Sequence, residues 1–337
     1  MAATTSALAL EASDLRKTYP AGRGKQPILA LDGLTFSARA GTIFGLVGPN
    51  GAGKSTTVKI LATLARADSG TARVAGIDVA TEPARVRRAI GFVAQKAVTD
   101  PMDTGLENLV LAGRLQGMGG RAAKARATEL LERFALSEAG GRLVKTYSGG
   151  MARKLDVALG LMHRPQVLFL DEPTTGLDPQ ARADMWAEIA RMAQVERMTV
   201  LLTTHYLEEA DQLADQLAIV DHGKVVAQGS PEELKNELRG DALVIDLARE
   251  PDGAAQRALS RIAALRELAI AGRTLRARAD NGAATLPHAL AALEEAGIAT
   301  VSATVSRPSL DDVYLRHTGH TFANAQAGFA NGKEIVR

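Results

Sequence analysis

With 337 residues, of which 46% are hydrophobic and 23% charged, the chain is long enough for one large domain plus an appendage and too apolar to be disordered throughout. A net charge of +2 with scattered basic residues, and only 4% aromatics, offer neither a phosphate-tracking stripe nor a base-stacking platform, so nucleic acid is not an expected partner. The absence of cysteine excludes disulfides, thiolate metal sites and cysteine nucleophiles.

The first residues show no basic stretch followed by an apolar run, and no run of about 18 apolar residues occurs, so neither an export signal nor a membrane-spanning helix is expected. From residue 8 to 238, short β-patterned runs alternate with longer helical patterns, which predicts an α/β domain with a mainly parallel sheet. Segments 8–15 and 28–37 alternate in polarity, as a partly exposed antiparallel layer would. The continuous apolar runs at 42–47, 90–95, 167–171 and 199–204 suit strands buried on both faces. Residues 101–164 hold helix-like stretches and no good strand, which predicts a helical insertion able to carry a partner-binding face. The pattern PEELKNEL, starting at Pro231, is expected to close this domain.

A second unit over 241–318 reads as strand 242–248, helix 254–265, strand 268–279, helix 286–296, strand 300–305 and a short final helix, a small α+β domain. Residues 319–337 are rich in Ala, Gly and Asn without periodicity and are expected to be mobile.

Three short stretches carry chemistry. Gly48, Pro49, Asn50, Gly51, Ala52, Gly53, Lys54 and Ser55 follow a predicted strand and precede a helix that begins around Thr56, the context of a phosphate-binding loop. Glycines there let backbone N–H groups turn towards phosphate, Lys54 neutralises charge, and Ser55 can ligate Mg²⁺. The apolar strand VLFLDE ends in Asp171, placed to face that cation, and Glu172, placed to polarise an attacking water. Ser148, Gly149 and Gly150 precede another helical pattern, and their N–H groups imply a second anion site. Each stretch also has a plain reading: a glycine-rich turn, a helix cap at a strand end, a flexible loop.

The order GPNGAGKST, Gln95, YSGGM, VLFLDEPTTGLDP and His205 resembles the ATP-binding cassette family over nearly the whole first domain. That resemblance implies an ATPase in which two copies sandwich two ATP molecules, the SGG loop of one copy closing on the γ-phosphate held by the GKS loop of the other. It further implies that Gln95 reaches Mg²⁺ and the attacking water, that His205 contacts the γ-phosphate, that Asp178 is an inter-subunit acid and that Tyr19 stacks on adenine. Taken singly, Gln95 also fits a solvated strand end, Asp178 a helix cap, His205 an ordinary loop residue and Tyr19 a strand end. Tyr147 and Met151 replace the usual Leu and Gln around SGG, which predicts altered tuning with the backbone donors retained.

TDPMDTGLENLVLAGRLQGM, from Thr99, and PSLDDVYLRHTGH, from Pro308, resemble the daunorubicin-resistance group of drug and antibiotic exporters, although Asp103 sits where that group has an apolar residue. The resemblance implies a separate membrane permease as partner and a place on the cytoplasmic face of the cell membrane. Cassettes for polysaccharide, lipid or other solutes share the catalytic residues. Non-transport cassette ATPases usually fuse two cassettes or insert a long coiled coil, and this sequence has a single GKS loop and no sustained heptads.

Overall fold

The structure, a computed structural model, describes residues 8–20, 26–251 and 253–331. Among these, the chain forms two compact units, one running to Pro231 and resuming at His320, the other Glu232–Gly319.

In the first unit, β1 (Leu8–Tyr19), β2 (Ile28–Arg39), β4 (Ser69–Val74) and β5 (Ile77–Asp78) form an antiparallel sheet in the order β2-β1-β4-β5. A second sheet has the order β10-β9-β3-β8-β7-β6, built from β3 (Ile43–Val47), β6 (Ile90–Val93), β7 (Val167–Asp171), β8 (Thr199–Thr204), β9 (Gln216–Asp221) and β10 (Lys224–Gly229). It is parallel except at its β9–β10 edge. Every residue of β3, β7 and β8 is buried, which is why these strands read as unbroken apolar runs while β1 and β2 alternate.

The two sheets share a core in which Phe36 and Phe44 stack with centroids 5.1 Å apart beside Leu10, Leu15 and Leu31. Before Pro231 the helices of this unit are α1 (Lys54–Leu61), α2 (Pro83–Ala89), α3 (Gly105–Leu115), α4 (Gly120–Arg133), α5 (Gly149–Gly160), α6 (Pro179–Gln194) and α7 (Leu207–Leu213). A 3₁₀ turn, Val144–Thr146, precedes α5. Helices α3 to α5 form the helical insertion. Leu109, Leu130, Leu155 and Val157 pack in one cluster with Leu168, Leu170 and Leu202 of the sheet.

The second unit begins within α8 (Pro231–Asn236), so the helix expected to close the first domain belongs, past Pro231, to the second. Its antiparallel sheet has the order β12-β13-β11-β14, from β11 (Asp241–Leu247), β12 (Arg266–Ala271), β13 (Thr274–Ala279) and β14 (Thr300–Ser306). The single strand expected over 268–279 is therefore a hairpin, because Gly272 at φ +59° allows the chain to reverse between Ala271 and Thr274. The helices are α9 (Ala254–Leu259), shorter than its pattern, α10 (Gly282–Glu295) and α11 (Leu310–Thr318). Ile245, Leu259, Leu275 and Leu293 centre a core of its own.

The segment expected to be mobile forms α12 (Phe322–Asn331), which belongs to the first unit. Phe322 and Ala325 are buried, apolar contacts that hold this helix where composition alone gave no periodicity. Residues 332–337 of that expectation lie outside the described residues. Among the described residues no helix is long and apolar enough to cross a membrane.

Candidate active site

The β3 strand ends at Val47, turns through residues 48–53 and enters α1 at Lys54. Glycine is required in that turn: Gly51 and Gly53 hold φ +82° and +110°, and a Cβ on Gly48 would lie 2.2 Å from the Val220 carbonyl oxygen. The Lys54 side chain is only 4% exposed and folds back over the loop, donating from Nζ to the carbonyls of Gly48 at 2.6 Å and Pro49 at 3.0 Å. A buried ammonium held over inward-turned backbone at a helix N-terminus is a place for phosphate.

At the end of β7, the Asp171 carboxylate accepts from Thr203 Oγ1 at 2.6 Å and lies 3.4 Å from the donating Ser55 Oγ. Glu172 then turns off the strand at φ +49°, its N–H donating to both the carbonyl and the hydroxyl of Thr203 at 3.1 Å. Its carboxylate accepts from Gln95 Nε2 at 2.8 Å and Thr175 Oγ1 at 3.3 Å, with Lys54 Nζ at 4.0 Å. His205 Nδ1 is 3.1 Å from Glu172 Oε2, at an angle that makes no hydrogen bond. Burial pushes the Glu172 carboxyl up, but the His205 ring, the Lys54 charge and Thr175 outweigh it and hold the group below the usual carboxylate range. Glu172 is thus ionised at neutral pH, as a proton acceptor must be.

Lys54, Ser55, Gln95, Glu172 and His205 open into one cavity of about 570 Å³ whose walls also include Tyr19, Asn50, Gly51, Gly53, Thr56 and Thr175. Gly48, Pro49 and Ala52 complete the loop behind it. Ser55 hydroxyl, Asp171 carboxylate and the Gln95 amide offer the oxygen donors a hard divalent cation takes. Among the described residues no group of three or more His, Cys, Asp or Glu side chains could hold a metal ion.

The remaining expected residues are not brought to this cavity. Ser148 is the N-cap of α5, accepting from the Met151 N–H at 3.2 Å, and Gly149 and Gly150 begin that helix; Ser148 and Gly149 are exposed. Asp178 caps α6, accepting from the Ala181 N–H at 2.9 Å, and is also exposed.

Thr203, Thr175, Arg153 and Gln326 touch this site without having been singled out from sequence. Thr203 faces Asp171 because the β7–β8 register pairs those two residues, which no local pattern encodes. Gln326 of α12 donates to the His205 carbonyl at 3.0 Å.

A family profile described as "ABC transporter" matches residues 31–175, from β2 through the loop at Gly48 to Thr175. The daunorubicin/doxorubicin resistance ATP-binding protein DrrA of Streptomyces peucetius is 46% identical over 319 residues, 93% of each chain. The chain belongs to the ABC transporter family. It is an ATP-binding cassette subunit and an ATPase. A doxorubicin resistance ATP-binding protein of Mycobacterium tuberculosis is 44% identical over 320 residues, covering 92% of this chain and 94% of that one. Residues 229–318 match the C-terminal domain described for ATP-binding proteins like DrrA1-3. Among solved structures, a dimeric post-hydrolysis ATP-binding cassette with ADP and Pi is similar at TM-score 0.60 and 25% identity, covering 66% of this chain and 98% of that one. The profile match at 31–175 lies within the first unit, and the DrrA-like match at 229–318 overlaps nearly all of the second.

Proposed function

We propose that this cassette drives export of a drug- or antibiotic-like compound through a separate membrane permease, and that two copies close around two ATP molecules to do so. The observation that carries the catalytic part is the convergence of Lys54, Ser55, Gln95, Glu172 and His205 on one cavity, with Asp171 beside Ser55, while Ser148 and Gly149 stand exposed and Gly150, like them, does not line it. A loop of free N–H groups that cannot serve its own cavity is suited to a partner's nucleotide. The resemblance to drug-resistance cassettes over both units supports the cargo class. Exposed Val98, Met102, Leu111 and Leu115, at and within the helical insertion, supply apolar area for a permease on the cytoplasmic side of the membrane.

In this reading Lys54 and the loop at Gly48 hold the β- and γ-phosphates, and Tyr19 stacks on adenine. Mg²⁺, held by Ser55, Asp171 and Gln95, would neutralise phosphate charge. Glu172 takes a proton from water as its oxygen bonds to the γ-phosphorus and the bond to the β–γ bridging oxygen breaks, leaving ADP and phosphate. His205 contacts the γ-phosphate, and Asp178 lies at the interface between copies.

Glu172→Gln keeps the shape and removes the base, so hydrolysis should stall and an ATP-dependent dimer should accumulate on gel filtration, with ADP giving none. Adding Ser148→Arg should abolish that dimer while each chain still binds ATP. Loss of ATP binding by the isolated Ser148→Arg chain would mean that SGG serves its own site. Export is tested by drug efflux from cells expressing the chain with the permease of a neighbouring reading frame, the Glu172→Gln chain as control.

A further inference from the structure

Arg153 lies in α5, five residues after Ser148, and is 7% exposed. Its guanidinium donates to three backbone carbonyls: Nε to Pro173 at 2.8 Å, Nη1 to Ala94 at 2.6 Å and Nη2 to Asp171 at 3.2 Å. These carbonyls flank the two side chains that meet in the cavity. Ala94 precedes Gln95, and Asp171 and Pro173 stand on either side of Glu172. One helical turn on, Asp156, 3.8 Å from Nη1, accepts the Val98 N–H at 3.3 Å and so holds the loop beyond Gln95 as well.

Burying a guanidinium is costly unless its donors are matched, and here the planar fork spans three separate segments that no shorter or unforked side chain can reach together. An apolar residue would pack at this position but would leave three carbonyls without this donor. The arrangement selects for rigid connection between segments.

We propose that Arg153 is a positioning residue that makes the SGG end of α5 and the Gln95–Glu172 pair move as one body, and thereby couples each nucleotide site to the one it faces. The inference rests on the ATP-sandwich reading. Along the helix Ser148 and Arg153 are separated by about 7–8 Å with no loop between them, so a displacement of one reaches the other without slack. Loss of the γ-phosphate at one site shifts Gln95 and Glu172 there. Through Arg153 the same chain's SGG then shifts at the opposite site.

Two affinity tags isolate a mixed dimer in which one chain carries Glu172→Gln with Arg153→Met and the other is unaltered. Only the unaltered chain's site hydrolyses ATP, with its own Gln95, Glu172 and Arg153 intact, and it receives SGG from the altered chain. Turnover at that intact site should fall about tenfold or more against a mixed dimer carrying Glu172→Gln alone, the scale of a sub-ångström misplacement at a reacting centre. Arg153→Lys, which keeps charge without the fork, should give an intermediate rate, and carries the same comparison should the Met variant fail to fold. A role confined to the folding of its own chain predicts no change at the intact site, and an unchanged rate with either variant overturns the coupling. If the Glu172→Gln chain alone forms no ATP-dependent dimer, the sandwich reading fails instead, and this inference falls with it.

Discussion

Glu172 holds a left-handed φ of +49°, a conformation that costs a non-glycine residue on the order of 1 kcal/mol or more. Thr203 offsets that cost by accepting the Glu172 N–H with both carbonyl and hydroxyl, and the turn aims the carboxylate into the cavity and away from the strand axis. The strand-end acids were legible in the sequence because VLFLDE is contiguous; the threonine that supports both of them was not, since Thr203 and Asp171 are 32 residues apart. Tyr19 presents the opposite case, a residue whose meaning depends on what lies across the cavity. Its ring is half-buried in the cavity wall, with Lys17 Nζ 5.5 Å from the centroid. Tyr19→Ala should weaken ATP binding by roughly 1–3 kcal/mol by titration calorimetry, the value of aromatic stacking on a base. Tyr19→Phe should bind as the parent does, and equal losses in both variants would argue against stacking.

Helix α3 shows how one element can be half legible. Its start was written in TGLE: Thr104 accepts the Glu107 N–H at 3.2 Å while the Glu107 carboxylate accepts the Thr104 N–H at 2.8 Å, a reciprocal cap. The packing against that first turn was not legible. Tyr147, where the family usually has Leu, donates from Oη to the Ala139 carbonyl at 2.7 Å, and a Cβ on Gly105 would meet that hydroxyl oxygen at 2.3 Å. The first residue of α3 and the residue before SGG are therefore chosen together. Gly105→Ala should destabilise the chain by roughly 1–3 kcal/mol in denaturant melts, as overpacking does. In the Tyr147→Leu background the same change should cost less, with a coupling energy of about 0.5–3 kcal/mol. Additive effects would show that α3 moves aside and that the two positions are independent.

At the scale of the whole molecule, every residue lining the cavity lies between Tyr19 and His205, and the second unit has a separate core. A chain ending at Pro231 loses the second unit together with α12 but keeps every residue lining the cavity, so it should still bind ATP by calorimetry; loss of binding would show that the removed segments support the site. A chain ending at Gly319 keeps the second unit but lacks Gln326, whose bond to the His205 carbonyl ties α12 to the site. Its ATP affinity should hold while hydrolysis slows by about two- to tenfold, the worth of one hydrogen bond. Unchanged hydrolysis would mean that α12 packs beside His205 without orienting it.

The sequence by itself determined what is local: the glycine-bounded turn into α1, the buried strands, the acids ending β7 and the start of α5. Each is encoded within a few contiguous residues by dihedral preference, periodicity or hydrogen bonds to neighbouring backbone. Tertiary structure alone decided which distant groups meet. Gln95 reaches Glu172 across 77 residues, and Arg153 reaches Ala94 across 59. It also decided that α12 returns to the first unit, and that the chain reverses at Gly272. Hydrophobic periodicity states which face of an element is buried and leaves open what it is buried against, so the partners of buried polar groups emerge only when the sheets and helices are packed.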